Sequence, residues 1–500
     1  MNSADQVADI KRKSVRGGMV TLSGQAISLL ANVASTLILS RLLSPTDFGV
    51  ISMVLAFTAF ANLFRDLGIS AASIQRAGLT HGQMTNLFWL NVMAGLVLSL
   101  IVVAASPLVA WFYGRPELRA VTAVLSLTFL ASSIGAQHSA LLQREMRFSS
   151  KVTADVLGVV TTLIVSCVLA LAGFGYWALA IGTIAGAMVT SAIYVVTSGF
   201  RPGLPRRDAE IRSIVGFGAH VTGFEIVNYF HRNFDNILIG RVWGADALGL
   251  YSRAYQLLML PIANLRTPIN AVAYPALSRL RADAVSYRRF FVKIASLLAF
   301  LSMPLTTYMA VNSDIVIRLA LGEQWMGAAP IFQALALSAF IQPVASLRGL
   351  VLLSSGYSRR YFYWGIVNAA CVVVGFAIGV RWGAIGVAYA YAIVNYTLLY
   401  FSLALLFRGT PVRVSDFFRS VAMPACTSLA AGAISYGSVA LLSDTTATAL
   451  KVLVSALAFT ASFFAIYAGI PEGRRELRSF RSIIADARRK NDSNPSEAPN

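Results

Sequence analysis

The chain has 500 residues, of which 57% are apolar and only 13% charged, and it carries a formal net charge of +19. A soluble globular protein has about a quarter of its residues charged, so this composition excludes one and requires that much of the apolar surface face lipid. The basic residues lie in short loops and not in a basic domain, so the positive balance argues for membrane orientation and against nucleic acid as a partner.

The N-terminus is polar up to Arg16, and the apolar run that follows, Gly17 to Leu43, is too long for a signal peptide and lacks a small-residue cleavage site. It is therefore expected to stay as the first membrane span. Apolar runs and loop punctuation predict an all-α integral membrane protein with about fourteen transmembrane helices, near 17–43, 46–64, 85–113, 118–141, 152–173, 175–198, 213–240, 247–275, 290–311, 326–353, 361–380, 383–407, 417–441 and 447–469. Stretches such as Val92 to Ala105 and Val452 to Ile470 are apolar on every face, which excludes the alternating pattern of a barrel strand. With the N-terminus cytoplasmic, thirty Lys and Arg fall on the inner side and seven on the outer. This asymmetry supports both the orientation and the helix count, because a missed helix would reverse the pattern downstream.

The sequence repeats internally. Ser40 to Ser52 (SRLLSPTDFGVIS) aligns with Gly240 to Ser252 (GRVWGADALGLYS), so that Arg41, Gly49 and Ser52 recur as Arg241, Gly249 and Ser252. Leu141 to Phe148 (LLQREMRF) echoes Leu352 to Phe362 (LLSSGYSRRYF), and Gly175 with Leu179 echoes Gly383 with Val387. The matches predict two parallel six-helix lobes, residues 17–198 and 214–407, behind a cytoplasmic N-terminus of residues 1–16 and joined by a cytoplasmic linker at 199–213. Two appended helices (408–470), an interfacial basic helix (471–490) and a disordered tail (491–500) complete the domain plan.

Four arginines fall within predicted spans: Arg232, Arg253, Arg266 and Arg348. At bilayer depth an arginine costs roughly 2.5–3.5 kcal/mol on insertion scales, so it faces a bundle interior, a partner or a wet cavity. Glu225, Asn228, Arg232 and Asp235 share one face of the seventh span, and Arg253, Gln256 and Asn264 one face of the eighth, where Pro261 and Pro268 are expected to open the backbone ladder. Two readings stand side by side. In one, Arg232 pairs with Asp235 while Arg266 and Arg348 snorkel to headgroups. In the other, the guanidiniums line a cavity and bind the phosphate oxygens of an anionic substrate. Asp155, beside Lys151, is either a proton or sodium site or a local salt bridge, and His220 and His231 are either coupling groups or packing residues. Cys167, Cys371 and Cys426 read as small core hydrophobes, with neither disulfide nor metal implied. No phosphate-binding glycine loop, zinc-type histidine pair or nucleophile elbow is present, so the chain reads as a non-enzyme without cofactor.

Asn228 to Leu257 (NYFHRNFDNILIGRVWGADALGLYSRAYQL), Pro268 to Asp283 (PINAVAYPALSRLRAD), Ile38 to Val54 and Leu141 to Phe148 resemble the Wzx-type polysaccharide exporters, the colanic-acid and succinoglycan exporters above all. Those belong to a superfamily that also holds the lipid II flippases and the MATE drug exporters. The resemblance implies a V-shaped pair of lobes that moves undecaprenyl-diphosphate-linked oligosaccharide units across the bacterial cytoplasmic membrane by alternating access. It also implies a cationic cavity for the lipid diphosphate, which here falls to Arg232, Arg253, Arg266 and Arg348, with Arg65 at the end of the second span as the first lobe's contribution. Implied partners are the polyprenyl-diphosphate-linked glycan, membrane lipid, a coupling ion (proton or sodium) and the polymerase or export machinery. The competing readings are an ion-coupled exporter of cationic drugs, which needs cavity carboxylates, and a membrane polymerase or ligase, which needs a larger outer loop.

Overall fold

The structure, a computed structural model, describes residues 3–62, 79–205, 212–442 and 447–478, the side chains of 3–19 and 212–232 excepted. Among the described residues every regular element is helical. The early part of the chain forms α1 (Ser3–Leu42), α2 (Pro45–Asn62), α3 (His81–Tyr113), α4 (Glu117–Leu125), α5 (Leu127–Arg144), α6 (Phe148–Leu171), α7 (Tyr176–Ser198) and the long α8 (Arg212–Arg279). Then come α9 (Ala284–Val311), α10 (Ser313–Ala320), α11 (Ala329–Ala345), α12 (Leu347–Ser354), α13 (Ser358–Gly379), α14 (Gly383–Leu406), α15 (Val414–Ala440) and α16 (Thr448–Gly469).

Ten helical stretches are long and apolar enough to cross a membrane, and one of them, Ser358–Leu406, contains both α13 and α14. With α2 and the two halves of α8 they account for the fourteen expected spans, and the protein is a multi-pass membrane protein. The outward faces carry large apolar side chains such as Trp111 (76% exposed) and Val196 (80% exposed), as lipid contact requires.

Several spans are less regular than their hydropathy suggests. The fourth breaks at Ser126 into α4 and α5, and the tenth is a 3-10 turn (Glu323–Ala328) followed by α11 and α12. In α8 Pro261, Pro268 and Pro275 lie within the helix, each without the N–H that would close the ladder, and its one non-helical residue is Gly244 (φ 82°, ψ −173°), where the chain turns back on itself. The three cysteines are free thiols, but they are not core residues. Cys167 and Cys371 are half-buried and Cys426 is exposed, on helix faces where hydrocarbon accepts a thiol as readily as a methyl group.

The chain packs as two compact units, Met1–Arg253 with Val380–Ala384, and Ala254–Gly379 with Ile385–Asn500. In the first, α6 packs along both α1 and α7, α7 along α5, and α5 along α3. Small residues set the α6–α7 distance: side chains at Gly182 and Gly186 would collide with the hydroxyls of Ser166 and Thr162. Close backbone approach of this kind replaces the hydrophobic effect as the glue between helices in lipid.

In the second unit one core joins Ala273 and Leu277 of α8, Tyr287 and Phe291 of α9, Val344 of α11, Leu403 of α14 and Phe417 of α15. The last span adds an aromatic layer in which Phe459, Phe463 and Tyr467 of α16 pack with Phe300 of α9. Arg288 of α9 forks onto Asp416 of α15 through two bonds of 2.6 Å, tying the two helices at their arginine-rich ends. Of the expected interfacial helix, residues 471–478 are helical and Leu477 packs against this aromatic layer, while the rest lies outside the described residues.

Candidate functional site

The internal repeat is a physical contact. The backbones of the two copies cross so closely in the first unit that a side chain on Gly49 would collide with the carbonyl of Ala245, and one on Gly249 with the carbonyl of Pro45. Positions 45 and 245, like 49 and 249, are equivalent in the repeat, so the crossing is an approximate two-fold. It is held by Ser52 Oγ donating to Ser252 Oγ at 3.1 Å and by Thr46 Oγ1 donating to Asp246 Oδ1 at 3.4 Å.

The other echoes share backbone geometry as well. After α5, Glu145, Met146 and Arg147 donate to Leu141, Gln143 and Leu142; after α12, Ser355, Gly356 and Tyr357 donate to Val351, Leu353 and Leu352, all between 2.8 and 3.2 Å. Met146 (φ 56°) and Gly356 (φ 83°) both take the left-handed conformation that these turns need. Gly175 and Gly383, which open α7 and α14, share positive φ too.

Arg253 follows directly on the crossing. Its guanidinium carbon lies 3.6 Å from the centre of the Phe48 ring, and its Nε is buried with no hydrogen-bond partner. A cation over an aromatic face gains about 2 kcal/mol when desolvated, which offsets part of the cost of removing the charge from water. The equivalent position in the first copy holds Met53, fully buried, and both Met53 and Leu248 (the counterpart of Phe48) sit against Gly240. Of the two equivalent positions at the crossing, one therefore holds an apolar pair and the other a cation on a ring.

Asp235 is buried, accepting 2.7 Å from Tyr251 Oη and 2.8 Å from the backbone N–H of Asn236. Tyr251 reaches it from across the Gly244 fold, while the side chain of Arg232, the pairing that the sequence offered, lies outside the described residues. Gln256 is exposed, as is Asn264, which donates to the Leu260 carbonyl of its own helix. Asp155 accepts from Lys151 at 3.1 Å and from the Tyr194 hydroxyl, a local ion pair at the helix end. Arg65 and the side chains of Glu225, Asn228 and Arg232, with those of His220 and His231, lie outside the described residues.

In the second unit Arg266 is half-buried, and Arg348 donates to Ser402 Oγ at 3.0 Å. Arg348 ends a polar seam between α11–α12 and α14 that sequence reading missed, in which Gln342 donates to Tyr391 Oη at 2.6 Å and Asn395 to Ser338 Oγ at 3.4 Å. The available signal was Tyr391 and Asn395, one turn apart on an otherwise apolar helix. The predicted cations are thus divided between the units, Arg253 in the first and Arg266 and Arg348 in the second.

Comparison with known proteins places this geometry. Residues 38–330, which include both copies of the repeat, match the family model described as polysaccharide biosynthesis protein. The chain belongs to this family. Among its relatives, the teichuronic acid biosynthesis protein TuaB of Bacillus subtilis is 28% identical, over 83% of this chain and 87% of its own length. The lipopolysaccharide biosynthesis protein WzxC of Escherichia coli is also 28% identical, over 85% and 88%. The succinoglycan biosynthesis transport protein ExoT of Rhizobium meliloti is 25% identical, over 68% and 69%. The resemblance to Wzx-type exporters read from the sequence is borne out. In fold the chain is similar to the lipid II flippase MurJ in an inward closed conformation, with a TM-score of 0.74 at 13% identity over 90% of this chain and 99% of that one. An inward-facing MATE multidrug transporter gives 0.58 at 14% identity, over 78% and 98%.

Proposed function

We propose that this member of the family is a flippase of the bacterial cytoplasmic membrane that carries polyprenyl-diphosphate-linked oligosaccharide units to the outer leaflet for exopolysaccharide or lipopolysaccharide assembly. The observation that carries the reading is the extent of the similarity to WzxC, which spans both repeat copies and most of each chain. Arg253 supports it: its guanidinium rests on Phe48, and no carboxylate among the described residues pairs with it, so its charge stays available to an anion. Arg348 and Arg266 in the second unit, with Arg232 and Arg65, complete the cation set on this reading. The termini and the arginine-rich helix ends are cytoplasmic, and alternating access requires no covalent step, so no catalytic group is needed.

The drug-exporter reading has less support. A cation exporter needs a carboxylate open to its cargo, whereas Asp155 is engaged by Lys151 and Tyr194 and Asp235 by Tyr251. The test is complementation of an exopolysaccharide strain lacking its flippase, with wild type compared with Arg253→Gln and Arg348→Gln at matched membrane levels. Polymer restored by wild type and lost in both variants supports the proposal. Protection from cationic dyes without polymer would replace it with the exporter.

A further inference from the structure

The two copies of the turn after α5 and α12 share a backbone but differ in charge. In the first, two of the three bases are paired with acids: Arg147 lies 3.7 Å from Glu145, and Lys151 lies 3.1 Å from Asp155, with Arg144 the third. At the equivalent positions of the second copy the two acids are Ser355 and Gly365. Around that acid-free turn the fold brings the side chains of Arg281, Arg359 and Arg360 together, with the backbone of Arg408 beside them.

Tyr357 organises them. Its hydroxyl donates to the Gly409 carbonyl at 3.1 Å, which brings the loop after α14 against the start of α13. The Arg360 guanidinium stacks 4.6 Å from the Tyr357 ring centre and donates to the Arg408 carbonyl at 2.5 Å. Arg359 stacks on Tyr363, 5.6 Å from its ring centre. Arg281 reaches in from the end of α8 and lies flat against Gly356, where a Cβ would stand 3.0 Å from its Nη2. Gly356 thus serves twice, giving the turn its positive φ and leaving room for a guanidinium.

No carboxylate lies within ion-pair distance of Arg281, Arg359, Arg360 or Arg408 among the described residues. The nearest acid in sequence, Asp283, is spent on capping α9, accepting from the backbone N–H of Val285 and of Ser286. Those bonds hold its carboxyl below the usual carboxylate range, hydrogen bonding from Ser286 foremost. Two of the four arginines also occupy the first turn of α13, the end of a helix where the macrodipole disfavours cations. Like charges gathered without a counter-ion raise the energy of the empty cluster, and a multiply charged anion relieves all of it at once.

We propose that Arg281, Arg359, Arg360 and Arg408 form a docking site for the diphosphate of the lipid-linked substrate at the cytoplasmic headgroup level, before it is carried inward. The inference rests on the flippase reading. The fork geometry of arginine matches non-bridging phosphate oxygens, and the cluster lies at helix ends, where a lipid presents its headgroup. A general requirement for inner positive charge does not explain why the second copy has neither acid while the first has both.

The test uses the full chain in nanodiscs of zwitterionic lipid, with radiolabelled farnesyl diphosphate as the probe. Arg281→Gln/Arg360→Gln and Arg359→Gln/Arg408→Gln are each expected to weaken binding at least about tenfold, the worth of one charge-assisted hydrogen bond. Arg147→Gln, at the first copy's turn, is expected to bind as wild type, and thermal melting checks that each variant is folded. Inorganic diphosphate is expected to displace the probe and phosphatidylglycerol in the disc is not. Wild-type binding by both double variants, no binding by wild type, or equal displacement by phosphatidylglycerol overturns the site. Polymer production in the complemented strain separates the two claims. Double variants that restore polymer as wild type does sink the docking site alone, whereas a wild type that restores none sinks the flippase reading.

Discussion

Ser52 Oγ and Ser252 Oγ meet at 3.1 Å, 200 residues apart in the chain and at the same position of an internal repeat. In a membrane, where water is absent as a competitor, two hydroxyls that satisfy each other fix the register of two crossing helices. Cysteines at these two positions would place their sulfurs close together, as a disulfide needs. Ser52→Cys/Ser252→Cys is therefore expected to oxidise without added reagent, read as a mobility shift reversed by reductant. If the crossing parts during transport, the oxidised protein will be inactive and reduction will restore it. An oxidised protein with full activity would show that the crossing stays closed throughout.

The glycines beside this pair tolerate no side chain. Gly249→Val drives a branched side chain into the Pro45 carbonyl, and Gly49→Val does the same at Ala245. Overpacking typically costs about 1–3 kcal/mol and often more against backbone. Both variants are expected to melt well below wild type in detergent, while Gly437→Ala, with open space at its Cα, melts as wild type does. Equal melting of all three would contradict so close a crossing.

Arg253→Met rebuilds the second copy in the image of the first, where Met53 is buried. Removing a cation with a buried, unpartnered Nε is expected to leave stability unchanged or to raise it. Polymer export is expected to fall at least about tenfold, the loss of one charge-assisted bond to phosphate. The opposite pattern, lower stability with export retained, would make Arg253 a structural residue.

Asp416 anchors α15 to α9 through Arg288 and also accepts from the backbone N–H of Arg413 at 2.9 Å. Asp416→Asn keeps the shape and removes the charge, so a measurable fall in melting temperature is expected from losing a charge-assisted bond to an exposed arginine. A double-mutant cycle with Arg288→Gln checks it: coupling near zero would mean that the pair contributes nothing measurable.

The spans and the repeat were legible in the sequence because each rests on a local rule. Hydrocarbon thickness sets run length, and a backbone crossing at Gly49 and Gly249 restricts those positions to glycine. The partner of Asp235 was not legible, since Tyr251 reaches it only after Gly244 folds the chain back, a tertiary fact that no helical wheel contains. Pro261 and Pro268 read as openings in the backbone ladder because proline removes a donor, but the sequence does not say that α8 stays helical through them. The seam of Gln342, Tyr391, Asn395 and Ser338 was hidden because its members come from helices separated by tens of residues, each carrying only one or two polar groups. The cysteines were misplaced for a simpler reason: in an apolar run, core and lipid face have the same composition.

Transport of a lipid-linked glycan is measured most directly as flipping in proteoliposomes. The purified chain would be reconstituted with a polyprenyl-diphosphate-linked oligosaccharide, and the fraction of glycan reached by an external lectin followed in time. Lectin-accessible glycan is expected to rise well above that in protein-free liposomes. A reconstituted, folded wild type that moves no more glycan than empty liposomes would contradict the flippase reading.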